Sequence, residues 1–426
     1  MQDGTLAATM DATTESTARA TSEAEAKPLP TATSAPSKPK QSKPAKRAAP
    51  KRDAFKPTPR DRLVFSLRPL MAGGADAIGD PSRAPLTPAE AIELLAQAVG
   101  VHGVTLTDDD LSPEAAIGIQ LTKLRSDFKR AITKHKVKVA AITCDLAREG
   151  VFRDGALTSC DPEVRAYAVQ KAMRALDLGA ELGCKLMVFD LSREGADVMG
   201  SLDPSGARKW LHEALNFLCV YSKHKKYGFK FALRSQWPGV RRDRLWPTAA
   251  HHLVHIPALE HEDMVGVSFS FAAERAGGTT PHATLAQTIA EQRLYHVELD
   301  VRDGVSRDLF EAVRTLDDSN YEGFVHLDSG VMRTADAEGV AQGLANAMRQ
   351  YLMLRAKARQ WKGDPKIRGV KRSLNRTSKA YDPIERGFTV AGAETLLMRS
   401  FDTTKMREQA LPFAQLEARG SEIIAG

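Results

Sequence analysis

Between Arg60 and Tyr351 short apolar runs alternate with amphipathic stretches, and this alternation restricts the fold more than any other feature of the chain. Strand patterns read over 63–67, 103–106, 137–143, 185–190, 229–233, 267–271, 294–299 and 324–327. Helical patterns separate them, most clearly over 87–99, 116–135, 162–182 and 205–227. Thr87-Pro88 with Glu90 two residues on spells a capping box, and Asp161 stands where a cap is needed ahead of Pro162. Strands that each need a helix to return to the same edge pair in parallel. Repeated over about 280 residues, such units fit a sheet closed on itself better than an open one. The expectation is an α/β fold, a (β/α)8 TIM barrel. No Gly-x-Gly-x-x-Gly follows any strand, which counts against a dinucleotide-binding sheet.

The barrel accounts for 57–355, and the flanks differ from it. Residues 1–56 are Ala, Thr, Ser, Pro and Lys with hardly a large apolar side chain, so they lack the surface to offset the entropy of ordering. They read as a disordered tail. Its basic part, 27–52, carries Lys27, Lys38, Lys40, Lys43, Lys46, Arg47, Lys51 and Arg52 and no acid. After the barrel, 356–426 reads as a C-terminal helical arm with a basic start. Over 355–379 ten Lys and Arg face one acid, Asp364. These two segments more than account for the net charge of +7 and the pI near 9.1, the rest of the chain being net acidic. They make an acidic partner such as nucleic acid conceivable, with Phe55 and Trp361 the sole aromatics able to stack on bases. The four cysteines form no Cys-x-x-Cys pair, and no run is long and apolar enough for a bilayer. A cytoplasmic protein without membrane contact is expected.

In a parallel barrel, chemistry gathers where strands end. The stretch Gly103-Val104-Thr105-Leu106 runs straight into Thr107 and three carboxylates, Asp108, Asp109 and Asp110. An Asp-rich turn capping the next helix would look the same. Its company decides otherwise: Phe152-Arg153-Asp154-Gly155, Ser192-Arg193-Glu194-Gly195-Ala196, His296-Val297-Glu298-Leu299, His326-Leu327-Asp328 and Tyr351-Leu352-Met353-Leu354 follow in order. Together these stretches, spread over 57–426, resemble the xylose isomerase family. Members of that family are TIM barrels that hold two divalent cations and shift a hydride between C1 and C2 of an aldose. Their C-terminal arm wraps a neighbouring subunit, so the resemblance implies a homodimer or homotetramer formed through 356–426.

Carried over residue by residue, the resemblance sets unexpected side chains at the working positions. Thr107 falls where the family keeps its catalytic His, and Asp110 where a carboxylate orients that His. Arg234 falls on the first bridging Glu, Gln236 on the catalytic Lys, and Ala258 on the second Glu. His261, Glu298 and Asp328 remain as a reduced set of metal ligands. Arg68, Ala147 and Asp190 take the places of aromatics that sandwich the sugar, and Ile78 that of a Phe lent by a neighbour. Glu260 becomes a ligand if the register slips around 234–262.

These positions imply a catalytically degenerate barrel kept as a scaffold or binding protein, with no metal cofactor. The alternatives are an enzyme with altered chemistry holding one divalent metal ion (magnesium, manganese or cobalt) on His261, Glu298 and Asp328, or a surviving sugar isomerase. In the first case Arg234 should replace the lost cation by pairing with Glu298 or Asp328, and Arg68 should pair with Asp190.

Overall fold

The computed structural model describes residues 53–426 apart from 54, 76–78, 114–116, 199, 303 and 331. The basic run 27–52, nearly all of the expected 1–56 tail, and Ile78 therefore lie outside the described residues. Eight strands close into one barrel: β1 (Leu63–Ser66), β2 (Gly103–Thr107), β3 (Lys138–Cys144), β4 (Leu186–Asp190), β5 (Lys230–Arg234), β6 (Val265–Ser270), β7 (Leu294–Asp300) and β8 (Val325–Asp328). Every neighbouring pair is parallel, and β8 closes on β1 through Leu63 opposite Val325 and Val64 opposite His326. Each expected strand is present within a few residues of its sequence bounds.

Alternation of side chains divides the core into two parts. Met187, Phe189, Phe231 and Leu233 point outward into the main core under the helices, where Phe189 and Phe231 meet edge to face. Ala141, Val188 and Ala232 point inward and form a small apolar plug inside the barrel. The same alternation carries Asp190 and Arg234 inward at the strand ends, one step beyond that plug.

Local chemistry sets the helix starts. Thr87 and Glu90 form the expected capping box at Pro88–Leu95. Asp161 accepts from Glu163 N ahead of Pro162–Glu181, and Asp203 accepts from Ser205 N and Gly206 N ahead of Pro204–His224. Each of the three helices begins with proline, whose missing N–H costs nothing there. At Gly195 the backbone has φ 116 and runs so close to the Asp243 carbonyl that a side chain would not fit.

Ala337–Gly363 buries Leu344, Met348, Tyr351, Leu354 and Trp361. Residue 355, where the sequence places the end of the barrel domain, lies inside this continuous helix. Trp361 packs edge to face on Phe310 and against Gly420, so it is not free to stack on bases. Pro365–Leu374 and the terminal Phe413–Ala425 pack beside it, whereas Asp382–Glu385, Val390–Leu397 and Thr403–Glu408 bury no residue. Among the described residues no helix is long and apolar enough to cross a membrane.

Candidate functional site at the barrel mouth

The inward positions at the C-terminal strand ends converge. Thr107, Thr143, Asp190, Arg234, Glu298 and Asp328 line a cavity of about 250 Å3. Arg234 is at its centre. Its Nη2 donates to Glu298 Oε2 at 2.8 Å, and its Nη1 lies 3.7 Å from Asp190 Oδ2. Burial works against the guanidinium charge, but Glu298, then Asp190 and Asp328, outweigh it and raise its pKa. Burial likewise pushes Glu298 up, yet Arg234 above all holds it down at about 2. The pair is ionised at any ordinary pH. Asp328 faces Arg302 Nη2 at 3.6 Å, and burial and then the charge on Glu298 raise its pKa.

A second network occupies the side of the mouth between β1, β2 and β3. Arg68, just past β1, donates from Nε to Thr107 Oγ1 at 2.9 Å and pairs with Asp110 Oδ1 at 2.9 Å. Thr107 completes the loop by donating its N–H and its hydroxyl to Asp110 Oδ2. Beyond it, Lys171 reaches in from the helix Pro162–Glu181. Its Nζ is 2.6 Å from Asp109, 2.7 Å from Glu149 and 3.4 Å from Asp108. Burial, then the charge on Asp109, carries Asp108 to about 7, with Lys171 pulling the other way.

Hard divalent ions replace most of their water with several converging oxygens. Among the described residues no three His, Cys, Asp or Glu side chains come together to hold a metal ion. Arg234 fixes a positive charge amid the nearest carboxylates. The donor set does not fit the cations that the resemblance implies.

The sequence model of the xylose isomerase-like TIM barrel family matches residues 92–351. This chain belongs to that family. It is 33% identical over 326 residues to a xylose isomerase of Thermus thermophilus, covering 74% of this chain and 84% of that protein. It is 31% identical over 384 residues to a xylose isomerase of Thermus caldophilus, covering 87% of this chain and 99% of that protein. In fold it is similar to a D-allulose 3-epimerase from Methylomonas sp., with a TM-score of 0.51 at 14% identity over 69% of this chain and 99% of that one. A 3-keto-D-glucoside 4-epimerase from E. coli gives a TM-score of 0.50 at 18% identity, covering 67% of this chain and 98% of that one.

Within this xylose isomerase-like barrel the positions anticipated from sequence separate into two groups. Thr107, Asp110, Arg68, Asp190, Arg234, Glu298 and Asp328 meet at the mouth, and Arg234 takes Glu298 as its partner. His261 does not join them. It precedes β6, with Nδ1 2.9 Å from Lys223 Nζ, at the opposite end of the barrel. Ala258 and Glu260 precede β6 as well, and the C-terminal end of that strand carries Ser268 and Ser270. The reading of His261 as a metal ligand is therefore corrected: its motif resemblance fell on the turn entering the strand, not on the end leaving it.

Arg68 pairs with Asp110 rather than Asp190, because the chain turns into the helix Leu67–Met71 and aims the guanidinium at β2. Asp110 thus keeps a charged partner. Gln236 lies outside the cavity. Its Nε2 donates to the carbonyls of Leu191 and Glu194, and its Oε1 accepts from Trp246 N, so it ties the loops after β4 and β5 together. Sequence reasoning missed Asp145, which accepts from Ala147 N and Arg148 N and lies 4.0 Å from Arg68. It also missed Lys171 and Arg302. Asp145, the first residue past β3, stands at a strand end as Asp190 does, but the resemblance pointed only to Asp190. Lys171 sits mid-helix and carries no such signal.

Proposed function

We propose that this member of the xylose isomerase-like family is catalytically degenerate and works as a scaffold or binding protein, engaging an acidic partner through its basic segments. One observation carries the reading: the guanidinium of Arg234 sits between Glu298 and Asp190 at the mouth. A fixed internal cation balances those carboxylates and leaves them little reason to recruit a mobile one. Purified protein, stripped with chelator and resupplied with magnesium, manganese or cobalt, tests this by conversion of xylose to its ketose. No conversion above background is expected. Turnover with any of the three overturns the reading.

A sugar isomerase, or a sugar-binding enzyme with altered chemistry, is the second reading. It is favoured by the 33% identity to the Thermus thermophilus xylose isomerase over most of both chains.

The scaffold reading includes a homodimer or homotetramer joined through the arm. Phe388, Leu397 and Met398 stand 86%, 83% and 89% exposed, on a segment whose short helices bury nothing. Large apolar side chains so exposed call for cover, and a second copy supplies it. Light scattering should give two or four times 46.4 kDa for the chain and a monomer for L397D/M398D. A monomeric unmodified protein would contradict the assembly.

A further inference from the structure

The fold sorts the ten basic residues of 355–379 into two sets. Four are engaged. Arg355 pairs with the buried Asp61, Arg359 Nε is 3.0 Å from Asp317, and Lys362 Nζ is 3.3 Å from Asp318. Lys357 Nζ donates to the carbonyls of Ile423 and Ile424. The other six, Lys366, Arg368, Lys371, Arg372, Arg376 and Lys379, are exposed and make no ion pair among the described residues, though Arg372 and Arg376 each donate from Nε to a nearby carbonyl, of Arg368 and Ser373. The one acid of the segment is already taken. Asp364 caps Lys366 N and Ile367 N and accepts two hydrogen bonds from Arg419, at 2.9 and 2.7 Å. Glu417 and Glu311, which share a cavity wall with Lys371, are held by Arg307 and Arg314.

Helical spacing orders this charge. On Pro365–Leu374 the buried Ile367 and the half-buried Val370 and Leu374 share one face, which packs on Phe413–Ala425. Arg368 and Arg372, four residues apart, share the other and point to solvent, and Lys371 is exposed at its edge, beside the terminal helix. Arg376 and Lys379 follow in the exposed segment after the helix.

We propose that this outward face binds the phosphodiester backbone of nucleic acid without reading its bases. Guanidinium forks match phosphate oxygens, and a rigid helix presents three cations at about 5–6 Å spacing. No aromatic lies between 365 and 379, and Trp361 is packed inside, so the segment itself carries nothing to stack on bases. A membrane-surface helix needs a free apolar face. Here that face is spent on the terminal helix. The inference rests on the binding-protein reading for its acidic partner, but duplex binding is read without metal or xylose, so each can fail alone.

The full chain is titrated into a labelled random-sequence DNA duplex of about 20 base pairs, followed by anisotropy between about 50 and 200 mM salt. The unmodified protein should bind with affinity falling steeply with salt. The R368E/K371E/R372E variant should bind at least about tenfold more weakly, with a salt slope smaller by about 3. If thermal denaturation shows that triple variant misfolded, R368Q/R372Q replaces it, with a slope smaller by about 2. Absence of duplex binding overturns the proposal. So does an unchanged slope in a folded variant, which assigns the binding elsewhere, or tighter binding to phosphatidylserine vesicles than to duplex at equal salt.

Discussion

Arg234 and Glu298 face one another across the barrel, their charged atoms 2.8 Å apart, one at the end of β5 and the other within β7. Both are mostly buried, with side chains 21% and 16% exposed. Removing one partner of such a pair leaves the other charge uncompensated, which costs more than the pair contributes. Arg234→Ala should destabilise the fold by about 3 kcal/mol, whereas replacing both residues with apolar ones of similar volume should recover most of the loss. Urea denaturation of the two variants checks this. An Arg234→Ala midpoint equal to that of the unmodified protein would show the pair to be idle.

Acid should weaken the fold before Glu298 protonates. Burial, with the neighbouring His326, holds His296 at about 3 instead of the ordinary 6.5, and burial with His212 does the same to His255. Both are neutral when folded, while the unfolded chain takes up protons below 6.5. Their contribution is therefore complete above 6.5 and is lost as pH falls toward 3. Each site costs up to about 1.4 kcal/mol per pH unit within that window. Asp108, raised to about 7, acts the opposite way between 3.8 and 7. His255→Gln should thus flatten the acid limb of stability against pH by about one proton. A slope unchanged by that variant would contradict the assignment.

Lys171 holds three carboxylates from within a helix. Lys171→Met should cost about 3–5 kcal/mol, because Asp108 and Lys171 are both almost wholly buried. Without the ammonium, Asp108 takes up a proton more readily still. The loss should therefore be largest above pH 7 and smaller in acid, when Asp108 is neutral. Denaturation midpoints at pH 5.5 and 8 read the difference, and an equal loss at both would contradict the coupling.

The barrel was legible because each strand is a short apolar run with turn residues on both sides, and periodicity alone places all eight. Arg234–Glu298 was legible too, since the resemblance set Arg234 where the family keeps a metal-bridging Glu, and buried carboxylates without a cation call for a basic partner. His261 failed because a motif without a strand end does not say which end of the barrel it marks. Arg68 failed because its direction depends on the short helix after β1, a feature that no pattern in 63–71 announces. Gln236 read as a vacated catalytic position, and its hydrogen bonds to Leu191, Glu194 and Trp246 depend on loops distant in sequence.

The measurement closest to the central claim is calorimetric titration of the chelator-stripped protein with manganese. If Arg234 stands in for a cation among Glu298, Asp190 and Asp328, no tight saturable site should be found. A stoichiometric manganese site, lost in Glu298→Gln, would contradict the account.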